Sequence, residues 1–246
     1  MLRTVAIIPA RSGSKGIIDK NLKLLYGKTL LEWSIEACKR SNFIDQIIVS
    51  TDSKKYADLA IKCGADVPFL RPAEISKDNS TDYEFIKHAI DWFISQKQQV
   101  DFIVHIRPTT PTRDPKKIDK AIKLFQESKI FSSLRSVQQM SESAFKCFQI
   151  DNDNFLKPIV DSNQDLDFYN NSRQSFPITY EANGYVDVLS VRFINNSMKL
   201  HGNKILPFIT ENIIEVDTEY DFLNLENQLK KNKLYFNKIF REDQNI

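Results

Sequence analysis

The chain has 246 residues, 41% hydrophobic and 27% charged, with a formal net charge of +2. That size fits one large domain with a substantial core, and the charge gives no global field favouring nucleic acid or membrane. Cys38, Cys63 and Cys147 lack CxxC spacing, no apolar run approaches about 18 residues, and no basic n-region with a cleavage site precedes the first strand-like segment. A reduced, soluble, cytoplasmic protein without a disulfide framework or zinc site is therefore expected.

"TVAII" (4–8) reads as a buried strand. A helix follows from 28, with Thr29 and Glu32 as a capping box and Leu31, Ile35 and Cys38 on one face. "DQIIVS" (45–50) predicts a second strand, and "TDSKKYADLAIKCG" a helix stopped by Gly64. "DVPFL" (66–70) predicts a short third strand. Residues 81–95 place Phe85, Ile86, Ala89, Ile90, Phe93 and Ile94 on one helical stripe. "DFIVHI" (101–106) is strand-like, and the helix over 113–125 starts on Asp114 as N-cap with Pro115 in its first turn.

Strands alternating with helices at this spacing predict βαβ units and a mostly parallel sheet with helices on both faces. Beyond 131 the pattern changes. "SSLRSV", "AFKCFQI" and "NGYVDVLSV" (183–191) are strand-like, and the polar stretch 151–182 is either a loop or an arm packed on another subunit. "IIEV" (213–216) predicts a return to a buried strand, followed by a helix capped by Thr218 and Asp221 and carrying Phe222, Leu225, Leu229 and Leu234. Ligands of open α/β sheets bind beyond the carboxyl ends of the strands, which singles out 9–21, 70–82, 107–114 and 215–218.

The first of these segments, "PARSGSKGIIDKN", matches neither G-x-x-x-x-G-K-[ST] nor G-x-G-x-x-G. It still has the makings of a phosphate cradle. Gly13 and Gly16 let backbone N–H groups curl toward an anion, Ser12 and Ser14 add hydroxyls, and Arg11, Lys15 and Lys20 supply positive charge suited to a triphosphate.

"IIPARSGSKGIIDKN" resembles the N-terminal signature of the cytidylyltransferases that activate nonulosonic acids, the CMP-sialic, CMP-legionaminic and CMP-pseudaminic acid synthetases. The resemblance continues in order through "IIVSTDS", "FLRPAEISKD", "HIRPTTPTRD", "RQSFPITYEANGYVDV" and "EVDTEYDFLNLE". It implies a Rossmann-like nucleotidyltransferase fold over 1–246, with 140–182 as a dimerisation and sugar-binding insertion. It also implies CTP and a nonulosonic acid as substrates, a homodimer, and no nucleic-acid or membrane partner.

Carried over by position, Arg11, Ser14, Lys15, Lys20 and Asn21 would bind the nucleotide and its phosphates, with Arg71 and Ser80 near base and ribose. Asp217, with Arg11 and Lys20, would be catalytic. The family usually has D-x-D where this chain has Glu215 and Asp217. Side chains two apart in a strand share a side, so both carboxylates are expected to converge on Mg²⁺, with Asp217 the firmer ligand.

Arg107 stands where the sialic-acid enzymes usually carry Gln, and Arg-Pro-Thr-Thr-Pro resembles the legionaminic branch. Arg107 is expected to grip the sugar's carboxylate or an acylamino carbonyl, against pairing with Asp114 or Glu142 at the surface. Arg173, Gln174, Tyr180 and Asn183 match the sugar-binding region, part of which completes a neighbour's site in the family. The implied reaction joins CTP to a legionaminic-type acid, with sialic or pseudaminic acid as the alternative sugar.

A glycosyltransferase of similar fold is a remoter alternative. It would use a D-x-D such as "DND" (151–153) or "DLD" (165–167), both expected to be solvated. His105 is expected to be a core or supporting residue rather than a base. "KKNKLYFNKIFRED" is expected to form a helical surface face.

Overall fold

The computed structural model describes residues 2–13, 16–160 and 165–240, so Ser14 and Lys15 lie outside the described residues. The central sheet has six strands, β1 (Thr4–Pro9), β4 (Gln46–Ser50), β5 (Phe102–His105), β6 (Ser133–Gln139), β9 (Tyr180–Ser190) and β10 (Ile205–Thr210), in the order β10-β6-β9-β5-β1-β4. β1 pairs parallel with β4 and β5, and β10 pairs parallel with β6. β9 runs antiparallel to both its neighbours and joins the halves.

Both faces of the sheet are covered, as the continuous apolar runs require. On β1, Ala6 and Ile8 face one core and Val5 and Ile7 the other. The first core takes in α1 (Leu30–Lys39), α2 (Lys54–Lys62), α4 (Pro115–Gln126) and α6 (Glu219–Lys231), and the second α3 (Asp82–Ser95) and α5 (Val191–Ser197). Local signals set the helix starts. Thr29/Glu32 and Thr218/Asp221 both form capping boxes, and the Asp114 side chain accepts from the Lys116 N–H ahead of α4. Between Leu24–Leu25 (β2) and Lys28–Thr29 (β3), Tyr26 and Gly27 both have positive φ, as a tight hairpin turn demands.

Four expectations need correction. Residues 66–70 form no strand; Asp66 makes a single bridge to Ile48. Residues 213–216 are not a strand either. The Val216 N–H donates to the Thr109 carbonyl at 2.7 Å and the Ile213 N–H to the Gln138 side chain at 3.0 Å, with no strand ladder between them. The strand in that region is β10, whose Pro207 and exposed Ile205 and Ile209 hid it. The last helix ends at Lys231, and Leu234 opens α7 (Leu234–Phe240). α7 is not a solvated face, because Ile239 is buried and Phe236 and Phe240 make edge contacts with Trp33 on α1.

The polar stretch carries local structure of its own. β7 (Phe148–Ile150) and β8 (Leu156–Pro158) form a hairpin, while 144–146 of "AFKCFQI" is a 3₁₀ turn. Phe148, Phe168, Tyr169 and Phe176 stack edge to face in a small aromatic cluster with centroids 5.4–5.5 Å apart. Phe155, Leu156 and Ile159 remain exposed.

Candidate active site

At the carboxyl ends of β1 and β5, and near that of β4, a cleft of about 480 Å³ is lined by Arg11, Gly16, Lys20, Asn21, Arg71, Ser80, Asp82, Phe85, Arg107, Thr109 and Asp217, among others. Of the eight described site candidates outside the 173–184 region, Arg11, Lys20, Asn21, Arg71, Ser80, Arg107 and Asp217 line it and only Glu215 does not. The two segments that fold it together are 9–21 and 215–217, about two hundred residues apart. They meet closely, because a Cβ on Gly16 would sit 2.5 Å from the Asp217 carbonyl oxygen. Only glycine allows that approach.

The 9–21 loop is anchored on both sides. Asp52 accepts from the Ser12 N–H at 2.7 Å and from its hydroxyl at 2.8 Å. Farther on, Asp19 has positive φ and accepts from the Tyr56 hydroxyl at 2.9 Å and from Lys55 at 3.1 Å. These bonds hold the Asp19 carboxyl below its usual range. Asn21 is buried and donates to the Arg11 carbonyl at 3.3 Å, so it braces the loop from beneath.

Three cations of the cleft are held by acids. Arg11 pairs with Asp78 at 2.7 Å, Lys20 with Asp217 at 2.9 Å, and Arg107 with Asp82 at 2.6 Å and Asp187 at 3.2 Å. Arg107 therefore does not pair with Asp114 or Glu142. Lys20 also donates to the Val216 carbonyl at 3.0 Å. Arg71 is buried with its guanidinium pinned on Ser50, Nε on the hydroxyl at 3.0 Å and Nη2 on the carbonyl at 2.6 Å. It lies 4.7 Å from the Phe85 ring centroid, and burial pushes its pKa down to about 10. The Ser80 hydroxyl accepts from the Lys77 N–H at 3.0 Å.

Asp217 and Glu215 differ in setting. The Asp217 side chain is 66% exposed in the cleft. Glu215 does not line it and accepts from the Thr109 hydroxyl at 2.9 Å. A Cβ on Gly184 would meet its Oε1 at 3.2 Å. The expected convergence rested on a strand that does not form. Among the described residues no group of three or more His, Cys, Asp and Glu could hold a metal.

The 173–184 residues lie elsewhere. Asn183 is buried and bonds Thr210 at 2.6 Å. Arg173 donates to the Met140 carbonyl at 3.2 Å, Gln174 is exposed in the polar stretch, and Tyr180 starts β9. None of the four lines this chain's cleft. Asp151 accepts from two backbone N–H groups of its own hairpin turn, and Asp165 caps a 3₁₀ turn, so both D-x-D segments serve local structure.

Sequence reasoning missed the acids and one arginine. Asp187 is 1% exposed and lies directly across the sheet from His105 on β5 and Arg135 on β6. Burial opposes its ionisation. His105 at 3.7 Å and the Arg107 and Arg135 charges more than offset that and bring it to about 2. A charge inside the apolar run "GYVDVLSV" was the signal for it. Arg113 is wholly buried, donates to the carbonyls of Tyr185 (2.6 Å), Arg107 (2.6 Å), Gly184 (2.9 Å) and Thr110, and is pushed down to about 10 by burial.

With the geometry in place, comparison with known proteins decides the family. The profile described as Cytidylyltransferase matches residues 5–243. The chain belongs to the cytidylyltransferase family. Among its relatives, the N-acylneuraminate cytidylyltransferase of Escherichia coli O18:K1:H7 is 33% identical over 94% of this chain and 53% of its own length. The CMP-N,N'-diacetyllegionaminic acid synthase of Legionella pneumophila is also 33% identical, over 94% of this chain and 98% of its own. This cytidylyltransferase thus spans about half of the first relative and nearly all of the second. In fold it matches a CMP:2-keto-3-deoxy-manno-octonic acid synthetase solved with CTP, at TM-score 0.69 and 13% identity over 93% of this chain and 99% of that one. The resemblance read from the sequence, to the CMP-nonulosonic acid synthetases, holds along the chain. Among the described residues no helix is long and apolar enough to cross a membrane.

Three histidines, one buried and two half-buried, give the chain a pH signature. Burial leads in holding His88, His105 and His201 below their usual pKa, aided by the Arg71, Arg107 and Arg135 charges respectively. Below about pH 6.5 the unfolded chain therefore takes up protons that the folded one refuses, and stability falls with pH. The melting temperature should drop between about pH 7.5 and 5.5, and His105→Gln should flatten that slope. A melting temperature that rises toward pH 5.5 would contradict the assignment.

Proposed function

We propose that this chain joins CTP to a nine-carbon nonulosonic acid of the legionaminic type, giving the CMP-sugar and pyrophosphate. The hydroxyl at C2 of the acid attacks the α-phosphorus of CTP in line. The new O–P bond forms as the bond to the departing pyrophosphate breaks, and the hydroxyl proton is released. The observation that carries the reading is the single cleft, in which Arg11, Lys20, Arg71, Arg107 and Asp217 gather from the motifs shared with the family. Arg11 and Lys20 are placed to neutralise the phosphates and to stabilise charge as it moves to the leaving group. Ser14, Lys15 and Asn21 complete the CTP cradle in this reading, and Arg71 and Ser80 serve base and ribose.

The cleft suits Mg²⁺ at Asp217, whose exposed carboxylate is a hard oxygen donor beside the phosphate-binding cations. Glu215, engaged by Thr109, fits better as a support one residue removed than as an equal ligand. Held there by Asp217, the cation would supply positive charge that offsets that of the phosphates.

The Arg-Pro-Thr-Thr-Pro segment favours legionaminic acid over sialic acid in this reading. The exposed apolar tip of the arm supports a homodimer, with Arg173, Gln174 and Tyr180 serving the neighbour's cleft. The free cysteines are in keeping with a reducing, cytoplasmic setting. Incubation with CTP, Mg²⁺ and a panel of legionaminic, N-acetylneuraminic and pseudaminic acids should release pyrophosphate fastest with the first. No pyrophosphate with any acid would sink the reading.

A further inference from the structure

We infer that Asp82 occupies, on Arg107, the place of the acceptor acid's carboxylate, and that Asp187 holds Arg107 still while the two exchange. The inference rests on the proposed α-keto acid acceptor. Its basis is an asymmetry between the two acids on one guanidinium. Nη1 lies 3.2 Å from Asp187, which is 1% exposed, and Nη2 lies 2.6 Å from Asp82, which is 42% exposed and lines the cleft.

Asp187 cannot move without breaking other contacts. The strand register sets it opposite His105 and Arg135, and His201 approaches it at 4.0 Å. Asp82 can move, because it is the first residue of α3, with its carboxylate at the cleft edge. Released to solvent, it stays favourable beside the helix N-terminus.

Both ends of the Arg107 fork are already occupied by carboxylates, so an incoming acid finds a place on Nη2 only when Asp82 leaves it. Replacing Asp82 by the substrate's carboxylate keeps the charge-assisted bonds to Nη2 in number and kind. A neutral sugar makes no such replacement and meets Asp82 still in place. The pair therefore selects for acids by what it excludes as well as by what it binds. Asp187 acts through Arg107 and is a positioning residue.

Equilibrium binding of N,N'-diacetyllegionaminic acid, N-acetylneuraminic acid and their C1 carboxamides to the full chain, with CTP present and divalent metal chelated, tests this. Wild type should prefer acids to carboxamides. Asp82→Asn removes the competitor and should tighten the acids about fivefold, with the carboxamides moving less than about twofold. Asp187→Asn should do the opposite, weakening the acids and raising their KM while the KM for CTP moves much less, since Arg107 then turns fully to Asp82. Acid binding that weakens in Asp82→Asn, or acids and carboxamides shifting together, would overturn the exchange. Should Asp187→Asn not fold, Asp82→Asn alone decides. A wild type that forms CMP-sugar yet shows no such split refutes only the exchange. A wild type that binds no acid overturns the proposed acceptor and the exchange with it.

Discussion

Asp217→Ala is expected to lower kcat by about a thousandfold or more while the protein stays folded. The size follows from the cost of removing a preorganised electrostatic group at the point where charge develops. The retained fold follows from exposure, since the side chain is 66% accessible and packs in neither core. Lys20 sharpens the expectation. Its ammonium sits 2.9 Å from Asp217 Oδ1, so the variant also frees the cation that the proposed reading gives to the phosphates from the carboxylate that aims it. Glu215→Ala should cost much less, because its carboxylate is engaged by the Thr109 hydroxyl and does not itself line the cleft. Steady-state turnover at saturating CTP, with Mg²⁺ titrated for each variant, separates the two. If Asp217→Ala stays within tenfold of wild type, or Glu215→Ala proves the more damaging, the metal site has been placed on the wrong residue.

That contrast shows where the sequence was legible. Helix starts were, because capping boxes and the Asp114-Pro115 start are local chemistry spelled out within four residues. So were β1, β4 and β5, whose apolar runs match strands buried on both faces. The short run "IIEV" carried the same apolar signal without a strand to express it, and periodicity alone does not separate the two. The cations were legible in type and in segment. Their partners were not, because Arg107 meets Asp82 across 25 residues and Asp187 across 80, and such pairings exist only once the sheet register is fixed. Asn183 shows the converse. Its place in a sugar-binding motif suggested a ligand, while its buried bonds to Thr210 and Gln138 make it part of the frame.

Arg113→Met should destabilise the fold by roughly 3 kcal/mol or more, a fall in melting temperature of about 10 °C for a chain of this size. The arginine lies at 0% exposure, and among the described residues no carboxylate pairs with it. Its compensation comes instead from the carbonyls of Arg107, Thr110, Gly184 and Tyr185. Those carbonyls belong to the 107–110 segment and the middle of β9, the two pieces of chain that bracket Arg107. Removing the guanidinium relieves a buried charge but leaves several buried acceptors unmet, and the second effect is the larger because each orphaned acceptor costs about 1–3 kcal/mol. Arg113→Lys tests this balance, since it keeps the charge and loses the planar fan of donors. It should recover only part of the stability, and its KM for the acid should rise more than its KM for CTP, because the loosened floor carries Arg107 rather than Arg11 or Lys20. Denaturant unfolding and steady-state kinetics on both variants read these outcomes. A melting temperature within about 2 °C of wild type for Arg113→Met would mean that the carbonyls find water in its place.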